Sequence, residues 1–313
     1  MDIYVQQMLN GLVLGSIYAL IALGYTMVYG IMGLINFAHG EVVMFGAMIS
    51  ITVLTLLTQM GLALPAPVLI LMALMISVPC CMLLGYSIER IAYRPLRNAP
   101  RLAPLITAIG LSIVLQQMAV FIWNDRYIPF PDILDHTTLR IGIASASGTI
   151  TKLQVMIIAL CLCLMAALYY LVEKTKLGRA MRAVSQNPSV AGLMGVNVNA
   201  IVSMTFMLGS ALGAIAGLMV AANYDQAHYM MGFMIGMKAF IAAVLGGIGN
   251  VRGAVAGGFL LGLLENLGIY QISELTGGII GTDYLDVVAF VILIGVLIFR
   301  PSGLFGEKMA DRA

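Results

Sequence analysis

A Gly-Lys dipeptide occurs nowhere in this 313-residue chain. That absence excludes a GxxxxGK[ST] loop, the backbone cradle for nucleotide phosphates, so any ATP-driven work must draw on another polypeptide. HExxH and GxSxG are also missing, which removes the zinc-protease helix and the hydrolase elbow that exposes a serine nucleophile. Ser147-Gly148 matches part of an intramembrane serine protease motif, but it falls in a presumed outer loop, where that chemistry has no use. Charge is scarce as well. Only 10% of residues are charged, against roughly 25% in soluble domains, and the net charge of +2 is too small and scattered for nucleic-acid binding. No Lys or Arg precedes Arg90, so the basic head of a secretory signal is absent and the first apolar segment is expected to stay as a membrane span. Cys80, Cys81, Cys161 and Cys163 lie in apolar runs without nearby His or carboxylate, which leaves no metal set and points to inert buried thiols.

What is there is apolar: 61% of residues are hydrophobic and the mean hydropathy is +1.01. The chain reads as an all-α polytopic membrane protein with about 8–10 transmembrane helices, in a single domain over 1–313. Crossing about 30 Å at 1.5 Å per residue takes roughly 20 apolar residues. Spans are predicted near 7–29, 37–59, 67–88, 102–123, 153–172, 200–222, 234–249, 253–270 and 284–299. The seventh and eighth are short and glycine-rich, and read as half-helices or a re-entrant pair. Basic residues gather on one side: Arg90, Arg94, Arg97 and Arg101, then the segment 173–198, then Arg252 and the tail from Arg300. The other side receives Asp125, Asp132, Asp135, Asp225, Glu274 and Asp283, with Arg126, Arg140 and Lys152 diluting the contrast. Nine spans put the N-terminus outside and the C-terminus inside; eight or ten would change the N-terminal side. The loop 124–152, with Pro129 and Pro131, is the main outer lobe.

The longest polar island on the basic side is EKTKLGRAMRAVSQNPSVAGLMG, from Glu173 to Gly195. Lys174, Lys176, Arg179 and Arg182 mark it as cytoplasmic. Leu177, Met181 and Val184 fall at helical spacing, after which Asn187 and Pro188 end one helix and cap and begin another. Val190, Leu193 and Met194 repeat the apolar period before Gly195 offers an exit. Two short amphipathic helices between spans suit a docking surface for a soluble partner. On that reading Arg179 and Arg182 pair with partner carboxylates, and Met181, Val184, Leu193 and Met194 fill a groove.

Small residues four apart let membrane helices approach closely. Gly209, Gly213 and Gly217 form a double ridge of this kind for helix packing, with single pairs at Gly11/Gly15 and Gly253/Gly257. In NFAHGE, Asn36, His39 and Glu41 bring an amide, an imidazole and a carboxylate into an apolar stretch. An ionised group at mid-span costs about 2.5–3.5 kcal/mol on the translocon scale, so these groups face protein, water or the interface. Two readings stay open. Either Asn36 caps the second span with His39 and Glu41 at the interface, or the three serve a translocation pathway or gate. Glu265, beside Asn266, is equally a buried hydrogen-bonded carboxylate or a pathway residue; Lys238 is expected to snorkel toward the interface.

Four stretches resemble the LivH-type permeases of bacterial branched-chain amino acid ABC importers: NGLVLGSIYALIALGYTMVYG from Asn10, INFAHGEVVMFGA from Ile35, LGRAMRAVSQNPSVAGLMGVN from Leu177, and AFIAAVLGGIGNVRGAVAGGFLLGLLE from Ala239. The resemblance implies the large-class ABC importer permease fold, usually of ten spans, in the cell inner membrane. It implies a second homologous permease subunit, two ATPase subunits and a periplasmic substrate-binding protein as partners. It implies no cofactor in this chain, with ATP-Mg held by the ATPases, and transport rather than catalysis. The coupling loop would be Gly178–Gly195, including Gly192. The cargo would be a branched-chain amino acid. A permease for urea or short amides would use the same scaffold, and an ion-coupled secondary transporter is the rival of a different class.

Overall fold

The computed structural model describes residues 2–61, 64–97, 99–100, 102–134, 137–143, 146–277, 284–300 and 302–306. Arg101, Asp135 and Asp283, counted above in the charge pattern, lie outside them. The described residues are mostly helical, as befits an all-α polytopic membrane protein: α1 Asp2–Met32, α2 His39–Gln59, α3 Ala66–Ser87, α4 Leu102–Trp123, α5 Lys152–Lys174, α6 Lys176–Gln186, α7 Pro188–Leu193, α8 Val198–Tyr224, α9 Met231–Gly246, α10 Val251–Leu275 and α11 Leu285–Phe299. Among the described residues seven helices are long and apolar enough to cross a membrane, and α9 and α11 are shorter apolar helices. Each of the nine expected spans thus coincides with a helix. The eighth differs in kind. α10 runs 25 residues, so it is a full-length helix and not half of a re-entrant pair. Its run of glycines is used for packing, and Asn250 caps its start by accepting from Arg252 N and Gly253 N.

The loop 124–152 is not plain coil. β1 Ile128–Pro129 pairs with β4 Gln226–Ala227, and β2 Thr138–Ile143 with β3 Ala146–Thr151, both antiparallel. Backbone groups that leave the helices find partners in these short ladders.

The helices cluster into two compact units, 1–26 with 135–165 and 238–313, and 27–134 with 166–237. In the first, Gly11 and Gly15 of α1 lie on Gly258 and Gly262 of α10 so closely that a Cβ at Gly11 would sit 2.9 Å from the Gly262 carbonyl oxygen. Gly257 packs against Gly246 of α9. The β2–β3 hairpin is clasped by the first turns of α1: Asp2 accepts from Ser147 N, and Gln6 both accepts from Thr149 N and donates to its carbonyl. In the second unit α2 packs on α3 and α8. A Cβ at Gly46 would meet Ala214 Cα at 2.5 Å, and one at Gly217 would collide with the Val43 carbonyl oxygen. Gly213 faces Val42, Val43 and His39, and Gly209 is buried. α2 thus lies along the glycine ridge of α8, and at Gly217 the approach is too close for any side chain, whereas a Cβ at Gly213 would make ordinary contacts.

Two of the four thiols depart from expectation. Cys81 and Cys161 are buried, but Cys80 and Cys163 are exposed on the surface of the chain. Helix positions one and two apart point about 100° and 200° from each other, so on α3 and α5, which bury only one face, one thiol of each pair turns outward.

Candidate functional site

The island folds as α6 and α7, joined at one residue. Thr175 opens α6 by accepting from Gly178 N, and Gly178 lies so close to the Val172 carbonyl that no side chain fits. Asn187 leaves the helical region, at φ −155° and ψ 100°, and its Oδ1 accepts from Ser189 N and Val190 N at 3.1 Å each, while Pro188 occupies the first turn. That arrangement satisfies two of the amide donors orphaned at a helix start. At the other end Gly195 takes φ +87°, with bonds from Gly195 N to Gly192 O and from Val196 N to Ala191 O. This closes α7 in a Schellman-type turn, four residues before α8 begins.

The side chains divide differently from the pattern expected. Met181 and Val184 are buried in their own chain and cannot fill a partner's groove. Arg182 donates to the carbonyls of Val172 and Glu173 and pairs with the Glu173 carboxylate at 3.5 Å, so it braces α6 against the end of α5. The period of 3.6 gives a stripe but not its destination; here the stripe of α6 goes inward. α7 faces outward. Leu193 is 88% and Met194 80% exposed, Val190 and Arg179 are exposed, and a Cβ at Gly192 would meet nothing.

Asn36, His39 and Glu41 are all buried at the start of α2. Asn36 does not cap this helix. Ala38 holds the cap position with no side-chain bond, and Asn36 Oδ1 accepts from the Tyr93 hydroxyl at 2.9 Å. Glu41 is likewise buried within the protein. It is 0% exposed, and its Oε1 accepts from Ser112 and Gln116 of α4 at 2.8 Å each. Its Oε2 has no hydrogen-bond partner among the described residues and lies against Gly232 of α9, where a Cβ would stand 2.8 Å away. Gly40 seals the same junction, since a Cβ there would strike the Gly232 carbonyl oxygen. Ser112 and Gln116, four apart in an otherwise apolar helix, were the available signal for this site.

Glu265 belongs to the other unit. Lys238 bonds it at 2.5 Å and also reaches Asp286 of α11 at 2.7 Å. Lys238 therefore turns to two carboxylates of its own chain instead of snorkelling, because a nearby buried anion offers more than a distant headgroup layer. Asn266 donates to the Gly262 carbonyl within α10.

Sequence reasoning passed over Glu89. After α3 the chain continues as a π-helix, Ile88–Tyr93, and a 3-10 turn, Arg94–Leu96. Glu89 is fully buried there, bonded to Arg94, Arg97 and Ser203 of α8. Its clue was a lone acid in a basic loop, with arginines five and eight residues on.

A family model described as the permease component of the branched-chain amino acid transport system matches residues 7–297. The high-affinity branched-chain amino acid transport system permease protein BraD of Pseudomonas aeruginosa is 44% identical over 310 residues, 99% of this chain and 98% of that protein. The permease protein LivH of the corresponding Escherichia coli system is 40% identical, covering 99% and 97%. A solved structure, PsaBC from Streptococcus pneumoniae in complex with Fab, is a distant likeness: TM-score 0.44 and 11% identity, over 96% of this chain and 91% of that one.

Proposed function

The chain belongs to the family of branched-chain amino acid transport permeases, and from that premise we propose that it is the membrane-spanning subunit of an ATP-driven importer of aliphatic amino acids in the bacterial inner membrane. The observation that carries this reading is 40–44% identity over almost the whole of both chains to permeases of high-affinity branched-chain systems. Its partners are a second homologous permease, two ATPase subunits that bind ATP-Mg, and a periplasmic binding protein. This chain supplies part of the path and no catalytic group of its own.

Work enters through α7. Val190 and Leu193 of this short helix and Met194 just after it present apolar surface that no described residue covers, with Arg179 exposed on α6. Apolar anchors with a basic neighbour suit a groove with acidic edges on an ATPase. Glu41 and the polar groups around it lie where α2 meets α4 and α9, and are the best placed to face the cargo's charged ends when that junction opens.

Purification in mild detergent followed by mass spectrometry tests the assembly. Two ATPases and a second permease are expected with the parent chain, and are expected to be lost from Leu193→Asp and Gly192→Trp. Recovery of the chain alone under several mild conditions overturns the reading. Reconstituted with its partners, the complex is expected to accumulate labelled leucine, isoleucine or valine on ATP addition; uptake of urea in their place would move the assignment to the amide importers.

A further inference from the structure

The polar cluster around Glu89 joins three parts of the second unit that are far apart in sequence. Both oxygens of the buried carboxylate are occupied. Oε1 takes Arg97 and, at 3.4 Å, Arg94; Oε2 takes Ser203 Oγ at 2.7 Å and Arg94 at 3.4 Å. Arg94 also donates to Ser203 at 3.2 Å, and Arg97 to Asn199 at 2.7 Å. Asn199 and Ser203 stand in the first two turns of α8, which Asn197 caps only four residues after α7 ends. The Schellman-type turn fixes the exit of α7, so only a short linker separates it from the start of α8.

On its other flank the cluster continues through the π-helix. Tyr93 is buried with its ring 5.4 Å from that of Phe206 on α8, and its hydroxyl bonds Asn36, three residues before α2. Asn36 O in turn accepts from His39 N at 3.0 Å, in the first turn that also carries Glu41. The cluster therefore ties the start of α8, one short linker beyond α7, to the π-helix, and the π-helix backbone carries Tyr93 to the turn before α2. A π-turn, with its extra residue, is common where helices serve function.

We propose that Glu89, Arg97, Tyr93 and Asn36 form a mechanical joint, positioning residues that carry displacement of α7 into the start of α2. The proposal rests on the reading of α7 as the element on which ATPase subunits act. A carboxylate held by two guanidinium groups suits such a joint, because its bonds are strong, directional and few in alternative arrangements.

The test uses the complete complex, co-purified and reconstituted in vesicles, with leucine uptake and ATP hydrolysis measured together. Tyr93→Phe removes one hydroxyl without removing the ring, and Glu89→Gln removes the charge while keeping the shape. Both are expected to leave the ATPases bound and hydrolysis running, while leucine moved per ATP falls at least threefold for Tyr93→Phe and at least tenfold for Glu89→Gln. The double variant is expected to be no worse than Glu89→Gln alone, since links in series fail once. If Glu89→Gln does not assemble, Tyr93→Phe decides by itself. An unchanged ratio in Tyr93→Phe overturns the joint. Gly192→Trp separates the two readings: loss of the ATPases there with an unchanged ratio in Tyr93→Phe overturns the joint alone, and retention of the ATPases with normal coupling in Gly192→Trp removes the docking reading on which the joint rests.

Discussion

The start of α2 and the α6–α7 island each break the rule of the medium around them, in opposite senses. Inside the apolar bundle the first buries an amide, an imidazole and a carboxylate within six residues, packed against backbone at Gly40 and Gly232. The island, in a polar stretch, turns Leu193 and Met194 at the end of α7 outward, while Met181 and Val184 of α6 go inward. Buried polar groups in a membrane are costly, and exposed apolar groups in water gain nothing until covered. Under the proposed function both costs have a use, one region facing a polar cargo and the other an apolar groove on a partner. The difference teaches where each region is fragile. At α2 a substitution is expected to act on folding and transport together, whereas at α7 it is expected to act on partner binding and coupling with little cost to the fold.

The largest expected effect is steric. Gly40→Leu forces α2 away from the Gly232 carbonyl, and overpacking at such a contact costs typically about 1–3 kcal/mol or more. A sharp fall in the melting temperature and in yield of monodisperse protein is expected; a leucine tolerated without change would mean that the junction is loose.

Glu41→Leu comes next. It strands the donors on Ser112 and Gln116, at about 1–3 kcal/mol for an unsatisfied buried group, and is expected to abolish uptake. Glu41→Gln, which can still accept from both, is expected to recover most of the stability and little of the transport. Recovery of both would make Glu41 structural and break the comparison.

Asn187→Ala removes the cap of α7, at about 1 kcal/mol. The expected readout is faster hydrogen exchange over 188–193 with the α2 region unchanged. Smallest of all in stability is Gly192→Ala, within about 0.5 kcal/mol because its Cβ meets nothing in the chain. Binding of the ATPases is still expected to weaken, so a normal pull-down would show that α7 is not covered at this point.

Much of this was legible in advance. Nine apolar stretches gave nine helices, and Asn187-Pro188 and Gly195 placed the joint and exit of the island to the residue. Other readings went astray for physical reasons. Met181 and Val184 share a stripe that could equally face a partner or its own chain, and periodicity carries no sign for that choice. Lys238 was read by its place near a helix start, but a carboxylate 27 residues on settles its direction. Asn36 had the chemistry of a cap and became instead an acceptor for Tyr93.

The sequence by itself determined the spans, the helix boundaries at the island and the family, because helix formation, capping and membrane crossing depend on residues within a turn or a span of one another. Only the tertiary structure decided what Glu41, Glu89 and Glu265 bind, and which glycines touch. Helices such as α3 are apolar all round, so their sequence holds no contrast to say which face is buried. Polar partners that lie 71 or 114 residues apart are brought together by helix packing alone.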